Sequence, residues 1–124
     1  MNVVDSSGWL EYFSGGPRAG RFLSPLQDPE SLVVPSITIF EVFKVVLREA
    51  GENAAWQAVT AMQKGKVVEL TDNLAVSAAK LSLELGLPMA DSIILATARA
   101  YGARIWTQDA DFADIPGVNY FPRN

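Results

Sequence analysis

Five short apolar runs, separated by one or two stretches with helical spacing, constrain this chain more than any other feature. Met1 to Val4 opens with a β-branched pair; Ser31 to Val34 is closed by Pro35; Lys66 to Leu70 and Ala103 to Thr107 follow, and Asn119 to Phe121 offers a short fifth. Runs this short are too small to stand alone and belong inside a sheet. Strands that are joined through helices pair in parallel, because a parallel connection needs a crossover.

The intervening stretches have their own punctuation. Trp9, Leu10 and Phe13 recur at helical spacing, with Ser6 or Ser7 as the expected N-cap and Gly15-Gly16-Pro17 as the stop. A short helix is expected from about Arg18 to Gln27, another from an N-cap at Ser36 to Gly51, and another from Asn53 to Gln63. Thr71 or Asp72 starts a helix through Leu85 with Gly86 beyond it, and Pro88 opens the last, Met89 to Tyr101, before Gly102. The expected fold class is α/β: a central parallel sheet of four or five strands, helices on both faces, one domain over residues 1–124. In such sheets ligands bind beyond the carboxyl ends of the strands.

Composition then removes most chemistry. The chain has no histidine and no cysteine. That excludes histidine-based triads and acid–base pairs, thiolate nucleophiles, disulfides and nearly every catalytic zinc site. Carboxylates, hydroxyls, lysine, arginine, backbone amides or a hard metal ion remain. No apolar run approaches a membrane span, and Met1 to Asp5 has no basic, apolar leader, so a cytoplasmic protein without a membrane partner is expected. The net charge of −4 speaks against a nucleic-acid partner at first sight. Cations bound at clustered carboxylates would reverse the local field, so net charge does not decide.

Four acids stand out. Asp5 directly follows the first strand and Asp109 lies two residues past the fourth; each could equally serve a cap or a turn. Asp91 lies on a helix that is apolar on almost every face, Met89 to Ala98. A helix-dipole gain of roughly 0.3–1 kcal/mol is small beside the several kcal/mol for desolvating an unpaired carboxylate. Glu41 matches a capping box in Thr38-Ile39-Phe40-Glu41, yet a helix starting at Ser36 carries it too far along for that role. If the four share a cleft about 5 Å across, each like-charge pair costs on the order of 3 kcal/mol at an effective dielectric near 20. Such a cluster takes up protons or binds hard, oxygen-seeking cations, magnesium or manganese.

These segments resemble the ordered acidic motifs of PIN domains. They are Val3-Val4-Asp5-Ser6-Ser7-Gly8-Trp9-Leu10, Glu41 after Pro35-Ser36, Ala90-Asp91-Ser92-Ile93-Ile94-Leu95-Ala96-Thr97-Ala98, and Thr107-Gln108-Asp109-Ala110-Asp111-Phe112. Length and element order resemble the VapC toxins of toxin–antitoxin pairs across the whole chain. The resemblance implies a three-layer α/β/α sandwich and an endoribonuclease dependent on one or two Mg2+ or Mn2+ ions. It implies that Asp5, Glu41, Asp91 and Asp109 are the catalytic and metal-holding quartet, with Ser7 and Thr107 as accessory hydroxyls. Asp111 is either an auxiliary acid or a turn residue before Phe112. A VapB-like antitoxin covering the active-site groove and a toxin homodimer are implied as well.

With imidazole chemistry excluded, RNA hydrolysis would run through metal assistance. Lys44, Arg48, Arg99 and Arg104 are candidates for a phosphate path, though solvated surface is the commoner role of such residues. Trp9, Tyr12, Phe13, Phe40 and Phe43 read as mostly core by their spacing, with any exposed subset free to meet a partner helix or a base. Rival enzymes lack their signatures: a haloacid-dehalogenase-like phosphatase needs a second aspartate where Ser7 stands, and a receiver domain needs an acidic pair and a late lysine. A nucleotide-binding loop needs more glycine than Gly8 alone. The alternative from another class is a catalytically inactive PIN-fold module that acts through an antitoxin or RNA.

Overall fold

The computed structural model describes residues 1–123. Its five strands are β1 (Asn2–Val4), β2 (Val33–Pro35), β3 (Lys66–Val68), β4 (Arg104–Thr107) and β5 (Val118–Tyr120). All pairings are parallel: β4 lies between β1 and β5, and β2 pairs with β3. A single parallel bridge, Asn2 to Leu32, joins the two groups. The order across the molecule is therefore β3-β2-β1-β4-β5. The chain winds outward from β1 to β3, then returns to the other side of β1, so strand order reverses between β1 and β4.

Six helices complete the frame: α1 (Ser6–Ser14), α2 (Leu23–Leu26), α3 (Ser36–Ala50), α4 (Glu52–Met62), α5 (Asp72–Leu85) and α6 (Met89–Ala100). Alternation along the strands separates them into two layers. Val3, Val33 and Ile105 enter a core with Leu87, Ile94, Leu95 and Phe112 on the α5–α6 side. Their neighbours Val4 and Val34 enter a second core with Trp9, Phe22, Val42, Ala58 and Met62 on the side of α1, α3 and α4. Two cores separated by one sheet are the three-layer sandwich that the residue pattern and the family resemblance call for. Gly8 is required by this packing: a Cβ there would lie 2.6 Å from Val4 Cγ1 and 2.8 Å from the Phe22 ring.

The termini of the elements depart from expectation in places. The N-cap of α1 is Asp5, not Ser6 or Ser7; its carboxylate accepts the Gly8 N–H. A carboxylate at the strand end reaches that amide first, which frees both serine hydroxyls. Ser36 is the first helical residue of α3 rather than its cap, because Pro35 holds the extended conformation there and no side chain caps the helix. The Arg18–Gln27 helix is a 3-10 turn at Ala19–Phe22 followed by the four residues of α2. Thr71 caps α5 and Gly86 ends it in the left-handed conformation. Among the aromatics, Trp9 is buried, but Tyr12 and especially Phe40, 60% exposed, are not core. Among the described residues no single helix is long and apolar enough to cross a membrane.

Candidate functional site

Parallel strands deliver their carboxyl ends to one edge. β1 and β4 are in register, Val4 opposite Trp106, so Asp5 and the Gln108-Asp109 segment emerge side by side where strand order reverses. The Asp5 N–H donates to the Trp106 carbonyl at 3.2 Å, which ties the two exits together. α6 feeds the start of β4, so it begins at that edge and runs away from it, which leaves its first turn, with Asp91, facing the same place. α3 starts where β2 ends and brings Glu41 on its second turn.

Asp5 is 2% exposed and accepts three hydrogen bonds. Ser7 Oγ donates to Oδ1 and Thr107 Oγ1 to Oδ2, both at 2.7 Å, and the Gly8 N–H reaches Oδ1 at 3.1 Å. Burial nonetheless pushes its pKa up to about 6, against the lowering influence of those donors and with a further upward push from Asp109. Thr107 is itself fully buried, and its Oγ1 also accepts the Asp109 N–H at 2.9 Å. One hydroxyl thus links the acids after the two central strands.

Asp91 differs. It is 9% exposed on a helix whose residues 91 to 98 are all buried. Its pKa rises to about 7, first through burial and then through the charges of Asp109, Asp5, Asp111 and Glu41, in that order. Carboxylate oxygens of Asp91, Asp109 and Asp111 lie within 4.8 Å of one another. Asp111 follows a tight turn in which the Asp109 carboxylate accepts the Asp111 N–H at 2.9 Å. The turn that Asp111 was expected to serve is real, and it also presents Asp111 to the other two acids.

Among the described residues no base forms an ion pair with this group. The one ion pair among the described residues is Arg48–Glu49, on the surface and more than half exposed. Three oxygen donors at this spacing, without a cation of the protein's own and with one carboxyl driven toward protonation, fit a hard divalent ion. Asp5 and Glu41 are close enough to raise Asp91 but do not join the group of three. Glu41 instead accepts a 2.5 Å hydrogen bond from Ser6 Oγ.

Two residues that sequence reasoning passed over are part of this neighbourhood. Ser6 is one, through Glu41. Gln108 is the other: 5% exposed, it receives Ser7 Oγ as acceptor for its N–H at 3.1 Å and donates from Nε2 to Glu11 Oε1 at 3.2 Å. Glutamine between two candidate residues carries no signal in a single sequence. Beside it a groove of about 750 Å3 runs between α1, α3 and α4, with Leu10, Phe13, Val46 and Ala58 on its apolar walls and Glu11 and Gln108 at its polar end. Of the phosphate-path candidates, Arg48 is paired with Glu49, Arg104 donates to Asn119 at 2.9 Å, and Lys44 sits over the exposed Phe40 ring.

Comparison with known proteins gives consistent findings. The PIN domain family model matches residues 3–118. A toxin–antitoxin complex from Klebsiella pneumoniae contains a chain 25% identical, with TM-score 0.84, covering 98% of this chain and 99% of that one. VapC20 of Mycobacterium tuberculosis, a Sarcin-Ricin loop cleaving toxin, is 22% identical with TM-score 0.81 over 98% and 100% of the two chains. A DNA-bound VapBC from Salmonella typhimurium is 15% identical with TM-score 0.73 over 98% of each chain. No curated protein matches in sequence.

Proposed function

The chain belongs to the PIN-domain family, and from that membership we infer that it is a VapC-like toxin, a metal-dependent endoribonuclease. The observation that carries this reading is the meeting of Asp91, Asp109 and Asp111 oxygens within 4.8 Å, with no ion pair to balance them among the described residues. A dead descendant acting only as a binding module would have no reason to keep charge that burial makes so costly.

In this reading Asp91 and Asp109 hold the cation directly, Asp111 assists, and Asp5 stands behind them. Asp5 accepts from Ser7, Thr107 and Gly8, which fixes Thr107, and through it the Asp109 backbone, while its Oδ2 keeps a lone pair free toward the cleft's cation. Glu41 stands across the cleft on α3. When bound, Mg2+ or Mn2+ acidifies water and offsets the charge that develops on the phosphate. RNA is the proposed substrate, and the Sarcin-Ricin loop cleaved by the Mycobacterium relative makes a structured loop the first one to try.

The groove between α1, α3 and α4 has the apolar walls that an amphipathic segment of a VapB-like antitoxin would cover, and toxin–antitoxin complexes among the similar structures support such a partner. A homodimer is part of the same proposal. The test is cleavage of a loop RNA by protein stripped of metal and then supplied with Mg2+ or Mn2+. Cleavage that requires the metal and disappears in Asp91→Asn supports the reading. Metal-independent cleavage, or an Asp91→Asn variant as fast as the parent, contradicts it.

A further inference from the structure

We propose that Ser6 is a positioning residue that holds Glu41 outside the three-carboxylate group, so that Glu41 acts across the cleft rather than as a direct metal ligand. The proposal rests on the nuclease reading above and adds a residue to it. Ser6 is the first helical residue of α1, where a serine hydroxyl usually serves the helix end. Here it does not, because the Asp5 carboxylate already accepts the Gly8 N–H. Its neighbour Ser7 turns the other way, to Asp5 and Gln108. The Ser6 hydroxyl is therefore free for a partner elsewhere, and it spends its single proton on Glu41 Oε1, 35 residues away on α3.

The bond is short, 2.5 Å, and joins two half-buried side chains. A glutamate has three side-chain torsions, and without an anchor it could swing among several positions. Anchoring one oxygen removes most of that freedom. The geometry agrees with the outcome: Asp91, Asp109 and Asp111 close to within 4.8 Å, whereas Glu41 stays outside that set. Its remaining oxygen is left to accept from substrate or from the attacking nucleophile. Partners that orient a metal site's outer groups typically matter by about 10–100-fold.

The experiment combines two readouts on the full chain. Mn2+ affinity is measured by calorimetry without RNA for the parent, Asp91→Asn, Glu41→Ala and Ser6→Ala. Cleavage of a loop RNA is measured for the same proteins, for Ser6→Thr and for Ser6→Ala combined with Glu41→Ala. The expected result is Mn2+ affinity within about threefold of the parent in Glu41→Ala and Ser6→Ala, against a loss beyond about tenfold in Asp91→Asn. Ser6→Ala lowers kcat by about tenfold with KM nearly unchanged, Ser6→Thr restores it, and Ser6→Ala adds nothing once Glu41 is alanine. The proposal is overturned if Ser6→Ala cleaves at the parent's rate, if its effect multiplies with Glu41→Ala, or if Glu41→Ala loses Mn2+ as Asp91→Asn does. A parent that binds Mn2+ but cuts no RNA overturns the nuclease reading instead, and the affinities then still decide where Glu41 stands.

Discussion

Asp5 and Asp91 are two buried carboxylates in one cleft, and they are held in opposite ways. Asp5 receives hydrogen bonds from Ser7, Thr107 and the Gly8 N–H, and burial still takes its pKa to about 6. Among the described residues Asp91 accepts no such hydrogen bonds; burial first, and then the charges of Asp109, Asp5, Asp111 and Glu41, take its pKa higher, to about 7. The first is a solved problem within the fold; the second is left unsolved by the fold and calls for something from outside.

The largest effect is expected from Asp91→Asn: metal-dependent RNA cleavage falls by about a hundredfold to a thousandfold, the size usual for losing a group that acts in the transition state, in single-turnover assays. The same change leaves the metal-free protein as stable as the parent or more so, because it removes like-charge repulsion. A loss of 3–5 kcal/mol in urea unfolding would instead mark Asp91 as half of a structural pair.

Next is pH. Both groups titrate higher in the folded chain than at the ordinary aspartate value, so between about pH 4 and 7 the folded state binds more protons than the unfolded one. The stability of the metal-free protein must then fall as pH rises through that window, by a few kcal/mol in all. The stabilising contribution is complete below about pH 4 and gone above about pH 7. Denaturation midpoints taken across the window without metal check the sign; a rise in stability toward pH 7 would contradict it.

Smaller again is Thr107→Val, which is nearly isosteric but strips one donor from Asp5 and one acceptor from the Asp109 N–H. It should destabilise by about 1–3 kcal/mol, the usual cost of leaving buried polar groups unpaired, read by chemical unfolding. The Ser7→Ala change should cost less, since Ser7 is only half-buried and water can replace it. Asp111→Asn closes the series. Its carboxylate is exposed, so metal affinity should drop severalfold at most and stability hardly at all.

Much of the frame was legible before any coordinates. Strands written as Val3-Val4 and Val33-Val34 with glycines at 15, 86 and 102 announce parallel strands and helix ends through local chemistry. Asp91 was legible for the same reason: an acid on a helix apolar all round is an anomaly that sequence shows directly. Other features depend on pairings that no local pattern encodes. Ser6 reaching Glu41 needs the α1–α3 approach, and Asp111 joining Asp91 needs the turn after β4. Phe40 reads as core by periodicity yet lies 60% exposed, because α3 is sheltered on one side only. The N-cap of α1 was missed because both serines look better suited than the aspartate at the strand end.

The central claim is that Asp91, Asp109 and Asp111 await a divalent cation. Its most direct test is the thermal unfolding midpoint of the metal-stripped protein at pH 7 as Mn2+ is raised to about 10 mM. A ligand that binds only the folded state must raise the midpoint as its concentration grows. The parent should show a midpoint that climbs with Mn2+, and Asp91→Asn a midpoint that starts as high or higher and barely moves. A parent midpoint indifferent to Mn2+ across that range, or one that Asp91→Asn follows step for step, would contradict the account.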